Sequence, residues 1–216
     1  MLALKSAAIG YGPKHRVLAD VALHIAQGER VALLGKSGSG KSTLLAHLRT
    51  LANGHAAWCP QQASLVPQLS AFHNIYAGGL GRQWALTNLR NLLFPAEPWR
   101  SEIGELAQAL GLSDCLWSPA GQLSGGQQSR VAMARAVYQQ QPLLLADEPV
   151  AALDGHQGAA LLPWLMAQHQ TAVIALHHVD LALAHCTRVI GLAEGRIQID
   201  APAANLNARE LAWLYQ

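Results

Sequence analysis

Residues 35–42 of the chain have the sequence GKSGSGKS, and this stretch decides the fold class. It matches the pattern G-x-x-x-x-G-K-[ST], in which glycines let successive backbone N–H groups turn toward one anion. The run at residues 29–35, with apolar residues at 31–34, predicts a buried strand before the loop, and residues 43–49 predict a helix after it. A strand, a glycine loop and a helix N-terminus in this order predict a phosphate-binding loop.

Two side chains of this loop carry the predicted chemistry. The Lys41 ammonium would reach the β- and γ-phosphates of a nucleotide, and the Ser42 hydroxyl would ligate Mg²⁺. The alternative is a glycine-rich turn that binds nothing. The strand and the helix predicted on either side favour the binding loop over that alternative.

The composition is that of one globular domain. The chain has 216 residues and is 51% hydrophobic, which is enough apolar material for a core. Its charged fraction of 13% is low against the usual ~25%. Either a partner covers part of the surface, or the chain is simply rich in alanine and leucine. The net charge of +2, with no run of lysine or arginine, gives no electrostatic reason to expect nucleic-acid binding.

The sequence predicts neither disulfides nor a targeting segment. Cys59, Cys115 and Cys186 are odd in number and widely spaced, so we expect reduced thiols. The N-terminus lacks a basic start followed by a long apolar stretch, so we expect no signal peptide. No apolar run approaches the ~18 residues of a membrane span.

Strand and helix patterns alternate along the chain, which predicts a parallel α/β sheet. Residues 62–120 instead contain several prolines and three helical stretches, and they predict an inserted helical subdomain. We predict further helices at residues 129–140 and 159–169, with Pro163 in the first turn of the second helix or at a kink in it.

A pair of carboxylates follows a buried strand predicted at residues 143–146. Asp147 and Glu148 come at its carboxyl end, where ligands bind in open α/β sheets. Asp147 suits the ligand shell of Mg²⁺, and Glu148 is placed to polarise an attacking water. The alternative is an acidic turn between a strand and a loop, which the nearby phosphate loop disfavours.

Residues 123–127, LSGGQ, form a second candidate anion site before a predicted helix. One γ-phosphate cannot lie in both loops of a compact chain if the two loops belong to different subdomains. We therefore predict a dimer in which each nucleotide lies between the phosphate loop of one chain and residues 123–127 of the other. The alternative for residues 123–127 is a structural helix cap.

Taken together, these motifs resemble those of an ATP-binding-cassette (ABC) nucleotide-binding domain, and the resemblance covers nearly the whole chain. Residues 35–42 match the Walker A loop, residues 123–127 the signature loop and residues 143–148 Walker B. Gln61 stands at the Q-loop position, and residues 151–154 match the D-loop.

Two single residues complete the resemblance: His177 fits the switch histidine, and Tyr11 fits the aromatic residue that stacks on adenine. The resemblance implies that Glu148 and His177 are catalytic. The implied metal ligands are Ser42, Gln61 and Asp147. The implied nucleotide contacts are Tyr11, Gly35, Lys36, Ser37, Gly38, Ser39, Gly40, Lys41, Ser42, Thr43, Gln61, Ser124, Gly125, Gly126, Gln127 and Asp154.

The implied fold is a P-loop NTPase of the RecA-like kind, α/β, with an inserted helical subdomain and a reduced N-terminal antiparallel β part. Residues 1–216 would form a single nucleotide-binding domain. Its core would comprise residues from about 1–61 and about 121–200, and the helical subdomain about 62–120.

A finer resemblance concerns residues 65–82 and 176–182, which are similar to the corresponding segments of phosphonate-importer ATPases. It implies an ATPase that uses ATP and Mg²⁺ and pairs with a second ATP-binding subunit, as a homodimer. The further implied partners are integral membrane permease subunits and, indirectly, a periplasmic or extracellular substrate-binding protein. The implied location is peripheral, at the cytoplasmic face of the inner membrane.

Three positions depart from the family pattern. Gln61 follows Lys41 by only 20 positions (61 − 41), which predicts a trimmed outer antiparallel sheet. Ala151 replaces the usual serine of the D-loop, and His178 replaces the acidic residue common after the switch histidine.

The residues leave other functions open: a soluble ABC ATPase of DNA repair or translation, an importer ATPase for an unrelated substrate, and a binding module that does not hydrolyse ATP.

For the importer, we predict that exposed members of the apolar stretch 65–80 dock on the membrane subunit, although most of its residues could face the domain's own core.

Overall fold

A computed structural model describes residues 2–10 and 16–215. Tyr11, the predicted adenine contact, lies outside the described residues. The strands of the described part are β1 (Leu2–Gly10), β2 (Arg16–Ile25), β3 (Arg30–Leu34), β4 (Ala56–Cys59), β5 (Leu143–Asp147), β6 (Thr171–Ala175), β7 (Arg188–Ala193) and β8 (Arg196–Pro202). Its α-helices are α1 (Lys41–Leu51), α2 (Ala71–Tyr76), α3 (Ala85–Leu93), α4 (Trp99–Ala109), α5 (Gly125–Tyr138), α6 (Gly155–Ala167), α7 (Val179–His185) and α8 (Ala208–Leu211).

A six-stranded sheet in the order β4-β5-β6-β3-β7-β8 forms the centre of the fold. Strand β3 runs parallel to both of its neighbours, and its Ala32 lies opposite Ile174 of β6 and Val189 of β7. Strands β5 and β6 are also parallel. The carboxyl ends of β3, β5 and β6 therefore meet at one edge of the sheet, and this confirms the predicted α/β class.

The burial of each strand follows its sequence. Every residue of β5 and β6 is buried, as expected for apolar strands covered on both faces. Strand β8 alternates between exposed and half-buried residues and pairs antiparallel with β7. It closes one side of the sheet with the alternation typical of a half-solvated strand.

The N-terminal β part is small. Strands β1 and β2 form a two-stranded antiparallel sheet, with Leu4 opposite Leu23. Only residues 52–55 connect the end of α1 to the start of β4. Such a connection is too short for a β-hairpin, in agreement with the trimmed antiparallel part that the sequence predicts.

The chain contains two compact units. The first consists of residues 1–58, 142–148 and 166–216, and the second of residues 59–141 and 149–165. The first unit contains the parallel strands and the phosphate loop, and the second contains α2 to α5. The predicted boundaries of a RecA-like core and a helical subdomain stay a prediction.

Two predicted helix starts were wrong by four residues. Helix α5 begins at Gly125 because the Ser124 hydroxyl accepts from the Gln127 N–H at 3.2 Å, which caps the first turn. Helix α6 begins at Gly155, where the Asp154 carboxylate accepts from the Gln157 N–H at 2.8 Å. Pro163 consequently lies inside α6 rather than in its first turn.

Candidate nucleotide-binding site

The phosphate loop joins the end of β3 to the start of α1, as the motif predicts. Gly35 and Gly40 have φ angles of +145° and +104°, which side chains of L-residues rarely adopt. A Cβ atom on Gly40 would lie 2.7 Å from Cδ2 of Leu18, and one on Gly35 would meet the Leu192 carbonyl oxygen. Both glycines are therefore required by the backbone of the loop and by the residues packed against it.

The Lys41 side chain is buried inside this loop. Its Nζ donates to the Gly35 carbonyl at 2.6 Å and to the Lys36 carbonyl at 3.1 Å. Burial lowers the pKa of Lys41, and the negative charges of Glu148 and Asp147 oppose that shift. The ammonium is thus held within the field of the two carboxylates that end β5.

Asp147 provides an unsatisfied carboxylate at the same edge of the sheet. Its side chain is buried, and Oδ1 has no hydrogen-bond partner within residues 2–10 and 16–215. A buried, unpaired carboxylate oxygen is costly unless a cation or a donor joins it. Oxygen ligands of this kind suit Mg²⁺, so the site fits the predicted metal.

Glu148 and His177 form a close pair beside Asp147. Oε1 of Glu148 lies 2.5 Å from Nε2 of His177, and the Glu148 N–H donates to the Ala175 carbonyl at 3.1 Å. Glu148 has a φ of +49°, an uncommon conformation for a residue with a side chain. Such backbone strain concentrates at functional sites, where a carboxylate beside an imidazole can orient a water molecule.

The first unit thus contains most of the predicted nucleotide-binding, metal-binding and catalytic residues: residues 35–43, Asp147, Glu148 and His177. The other predicted residues of the described chain lie in the second unit. They are Gln61, Ser124, Gly125, Gly126, Gln127 and Asp154.

Within the second unit, Ser124 and Gln127 cap α5 reciprocally. The Ser124 hydroxyl accepts from the Gln127 N–H, and the Gln127 Oε1 accepts from the Ser124 N–H at 2.8 Å. Ser124 and Gly125 are nevertheless exposed. The segment therefore serves as a helix cap in this chain and remains accessible to another molecule.

Sequence reasoning missed a contact between the phosphate loop and the end of the chain. The Lys36 N–H donates to the Leu214 carbonyl at 3.0 Å, and burial raises the pKa of the neighbouring Tyr215. This contact joins residues far apart in the sequence, and no local pattern in residues 212–215 signals it.

Within residues 2–10 and 16–215, no cluster of three or more His, Cys, Asp or Glu side chains could hold a metal ion on its own. The same described ranges contain no helix with the length and apolar character of a membrane span.

Comparison with known sequences identifies the family. The ABC transporter family matches residues 18–56 and 49–151 of the chain. A phosphonates import ATP-binding protein, PhnC, of Pseudomonas putida is 40% identical over 93% of this chain and 84% of its own length. The PhnC of Anaeromyxobacter dehalogenans is 38% identical over the whole chain, which spans only 48% of that relative.

Comparison with solved structures points to the same family. The dimeric structure of MJ0796, a bacterial ABC transporter cassette, superposes with a TM-score of 0.78 and 27% identity, over 94% of this chain and 99% of that one. A post-hydrolysis dimer of the same cassette, bound to ADP and phosphate, gives a TM-score of 0.72 over 94% of this chain and 99% of that one.

The chain belongs to the ABC transporter family. Within that family it is an ATP-hydrolysing cassette, and its resemblance to the phosphonate-importer ATPases is confirmed.

Proposed function

We propose that this chain is the ATP-hydrolysing subunit of a phosphonate importer, and that it binds Mg-ATP between two protomers. The observation that carries the proposal is a group of polar side chains at one edge of the sheet. It consists of buried Lys41, the Glu148–His177 pair, and Asp147, whose Oδ1 has no partner among the described residues. The importer and its substrate class are supported by the relatives named for phosphonate import.

Nucleotide binding uses the phosphate loop. The backbone N–H groups of residues 38–43 surround the phosphates, as they do in loops of this sequence. Lys41 exchanges its two carbonyl acceptors in the loop for the β- and γ-phosphate oxygens. That exchange favours the nucleotide because a buried ammonium gains more from an anion than from neutral carbonyls.

Metal binding would use oxygen ligands. Asp147 and the Ser42 hydroxyl would hold Mg²⁺, and the resemblance to the family implies Gln61 as a further ligand. The ion supplies neutralisation of phosphate charge when it is bound. The buried Oδ1 of Asp147, unpaired among the described residues, supports this assignment.

Hydrolysis depends on the Glu148–His177 pair. The Glu148 carboxylate accepts a proton from the attacking water and orients it, and the His177 imidazole holds that carboxylate in place and contacts the γ-phosphate. Phosphoryl transfer needs positioning and charge neutralisation more than covalent chemistry, and this set of residues supplies both.

The second protomer completes the site. Residues 124–127 contact the nucleotide held by the partner's phosphate loop, which is consistent with the exposure of Ser124 and Gly125. The resemblance to the family implies an adenine contact for Tyr11, which lies outside the described residues, and a nucleotide contact for Asp154 of the D-loop. Each site would then form only when two chains close on ATP.

The membrane subunit contacts the second unit near residues 65–80. Phe72, Ile75 and Tyr76 of this stretch are buried, so they belong to the unit's own core. Val66 and Leu80 are exposed and remain as docking residues. The complex would lie at the cytoplasmic face of the inner membrane, with a substrate-binding protein on the opposite side.

The variant Lys41→Ala tests the ATP site, with Lys5→Ala as the matched control on an exposed lysine of β1. We expect Lys41→Ala to lose tight Mg-ATP binding in isothermal titration, because the described loop contains no other buried cation. Lys5→Ala should bind like the parent. If both variants bound Mg-ATP like the parent, the assignment of the loop would be wrong.

A further inference from the structure

Helix α3 presents its apolar side to solvent and its polar side to the protein. Leu86, Leu89 and Leu93 share one helix face and are 79%, 58% and 66% exposed. On the opposite face, Asn91 is buried and Asn88 is half-buried. An ordinary surface helix has the reverse arrangement, with its apolar stripe facing the core.

Hydrogen bonds fix this orientation. The Tyr76 hydroxyl donates to Asn88 Oδ1 at 2.9 Å, and Asn91 Nδ2 donates to the Tyr76 oxygen at 3.0 Å. Asn91 Oδ1 also accepts from the Ala96 N–H at 3.2 Å, and Asn88 Nδ2 donates to the Leu80 carbonyl at 3.0 Å. Turning the helix to bury its leucines would break these bonds and leave a buried polar group unpaired.

Two aromatic residues extend the apolar face at both ends of α3. Trp84 precedes the helix and is 86% exposed, and Phe94 follows it and is 73% exposed. Side chains this exposed project from the surface of the second unit, and we call the face that these two residues form with Leu86, Leu89 and Leu93 the ridge. Contiguous exposed apolar residues of this kind mark an interaction surface.

The charged residues within residues 80–96 are both positive. Residues 80–96 contain two charged residues, Arg82 and Arg90, and the first acidic residue after them is Glu97. Arg90 is exposed on α3 itself, whereas Arg82 is half-buried and pairs with Glu102 at 3.5 Å. Arg90, on the flank of the ridge, therefore favours a negatively charged surface.

We propose that α3, with Trp84 and Phe94, inserts into the headgroup region of an anionic lipid bilayer. Leucines on one face, aromatic residues at the ends and an arginine on the flank are the composition of a helix that lies in a membrane interface. A protruding ridge enters lipid directly, whereas a protein partner would need a groove shaped to receive it. The contact is shallow and reversible, because α3 has only nine residues.

This contact goes beyond the proposed function and does not involve the ATP site. It would hold the second unit against the bilayer in addition to any permease contact at Val66 and Leu80. Its failure would leave Mg-ATP binding and hydrolysis unchanged, so the two proposals are tested separately.

The test is co-sedimentation of the full chain with vesicles that contain no other protein. We expect binding to vesicles of phosphatidylethanolamine with phosphatidylglycerol, and weaker binding to phosphatidylcholine alone. Leu89→Glu should lower the bound-to-free ratio by about tenfold or more, because it puts a charge in the centre of the apolar face. The control, Leu51→Glu, makes the same change at an exposed leucine of α1 and should bind like the parent.

Tryptophan fluorescence gives a second readout that does not depend on a charged substitution. Because Trp84 is so exposed, its emission should shift to shorter wavelength with the anionic vesicles, and Trp84→Phe should remove that shift. Circular dichroism and Mg-ATP affinity check that every variant is folded. The proposal is overturned if the parent stays in the supernatant with anionic vesicles, if Leu89→Glu sediments like the parent, or if binding requires a reconstituted permease, which would identify a protein-docking surface.

Discussion

The substitution Glu148→Gln separates catalysis from binding and from folding. Glu148 follows β5 with a φ of +49°, and its carboxylate lies 2.5 Å from Nε2 of His177. Glutamine keeps the size of the side chain and the same backbone requirement, but it loses the negative charge. The variant therefore tests the charge alone.

The structure predicts a small effect on stability. The left-handed backbone costs about 1–3 kcal/mol with either side chain, so this cost cancels between parent and variant. The lost contact between the carboxylate and the imidazole contributes at most about 1 kcal/mol, because the His177 side chain is 40% exposed and solvent screens the contact. The free energy of unfolding should thus fall by no more than about 1 kcal/mol.

The predicted effect on hydrolysis is much larger. General-base catalysis by a positioned side chain contributes roughly 10²–10⁴-fold, and the amide of glutamine cannot accept the proton. Phosphate release at saturating Mg-ATP should fall by that factor, while nucleotide affinity stays near the parental value. Gel filtration with ATP should then show a stable dimer, because ATP remains bound and is not hydrolysed.

Glu194→Gln is the matched control. Glu194 also has a positive φ, +51°, and is exposed in the turn between β7 and β8. It should hydrolyse ATP at the parental rate. The reasoning is refuted if Glu148→Gln hydrolyses ATP as fast as Glu194→Gln, or if it unfolds so easily that the loss of activity is structural.

Two further predictions concern the signature loop and the alkaline stability. Ser124→Arg should abolish hydrolysis and keep Mg-ATP binding, because Ser124 is proposed to contact the partner's nucleotide. Titration and phosphate release test this prediction, with Ser113→Arg as a control at another exposed serine. Loss of Mg-ATP binding in the isolated Ser124→Arg chain would contradict it. Burial raises the pKa of the Cys186 thiol from 9.0 to about 12, so the unfolded chain loses this proton first and stability should fall as the pH rises from 9.0 toward 12. Urea unfolding of Cys186→Ala should show a shallower decline above pH 9.0, and an unchanged decline would contradict the prediction.

The sequence predicted the elements whose signals are local. Strand β5 was predicted almost to its ends, because a continuous apolar run lies between Pro142 and Asp147. The phosphate loop was predicted because its glycines, lysine and serine are contiguous. For α5 and α6, the glycines in the first turns favoured a later start, and the side-chain caps at Ser124 and Asp154 determined the actual one.

The features that escaped prediction are tertiary. The positive φ of Glu148 depends on where β6 places Ala175, and the Leu214 carbonyl meets Lys36 only in the folded chain. The outward leucines of α3 follow from the bonds between Asn91 and Tyr76, which are 15 positions apart. An amphipathic pattern gives the two faces of a helix but does not show which face is buried.

Uptake of a labelled phosphonate by intact cells tests the central claim most directly. Cells that lack this gene should lose the uptake, the parental gene should restore it, and a gene carrying Lys41→Ala should not. Uptake at the parental rate without the gene, or full restoration by Lys41→Ala, would contradict the claim that ATP bound at Lys41 drives phosphonate import.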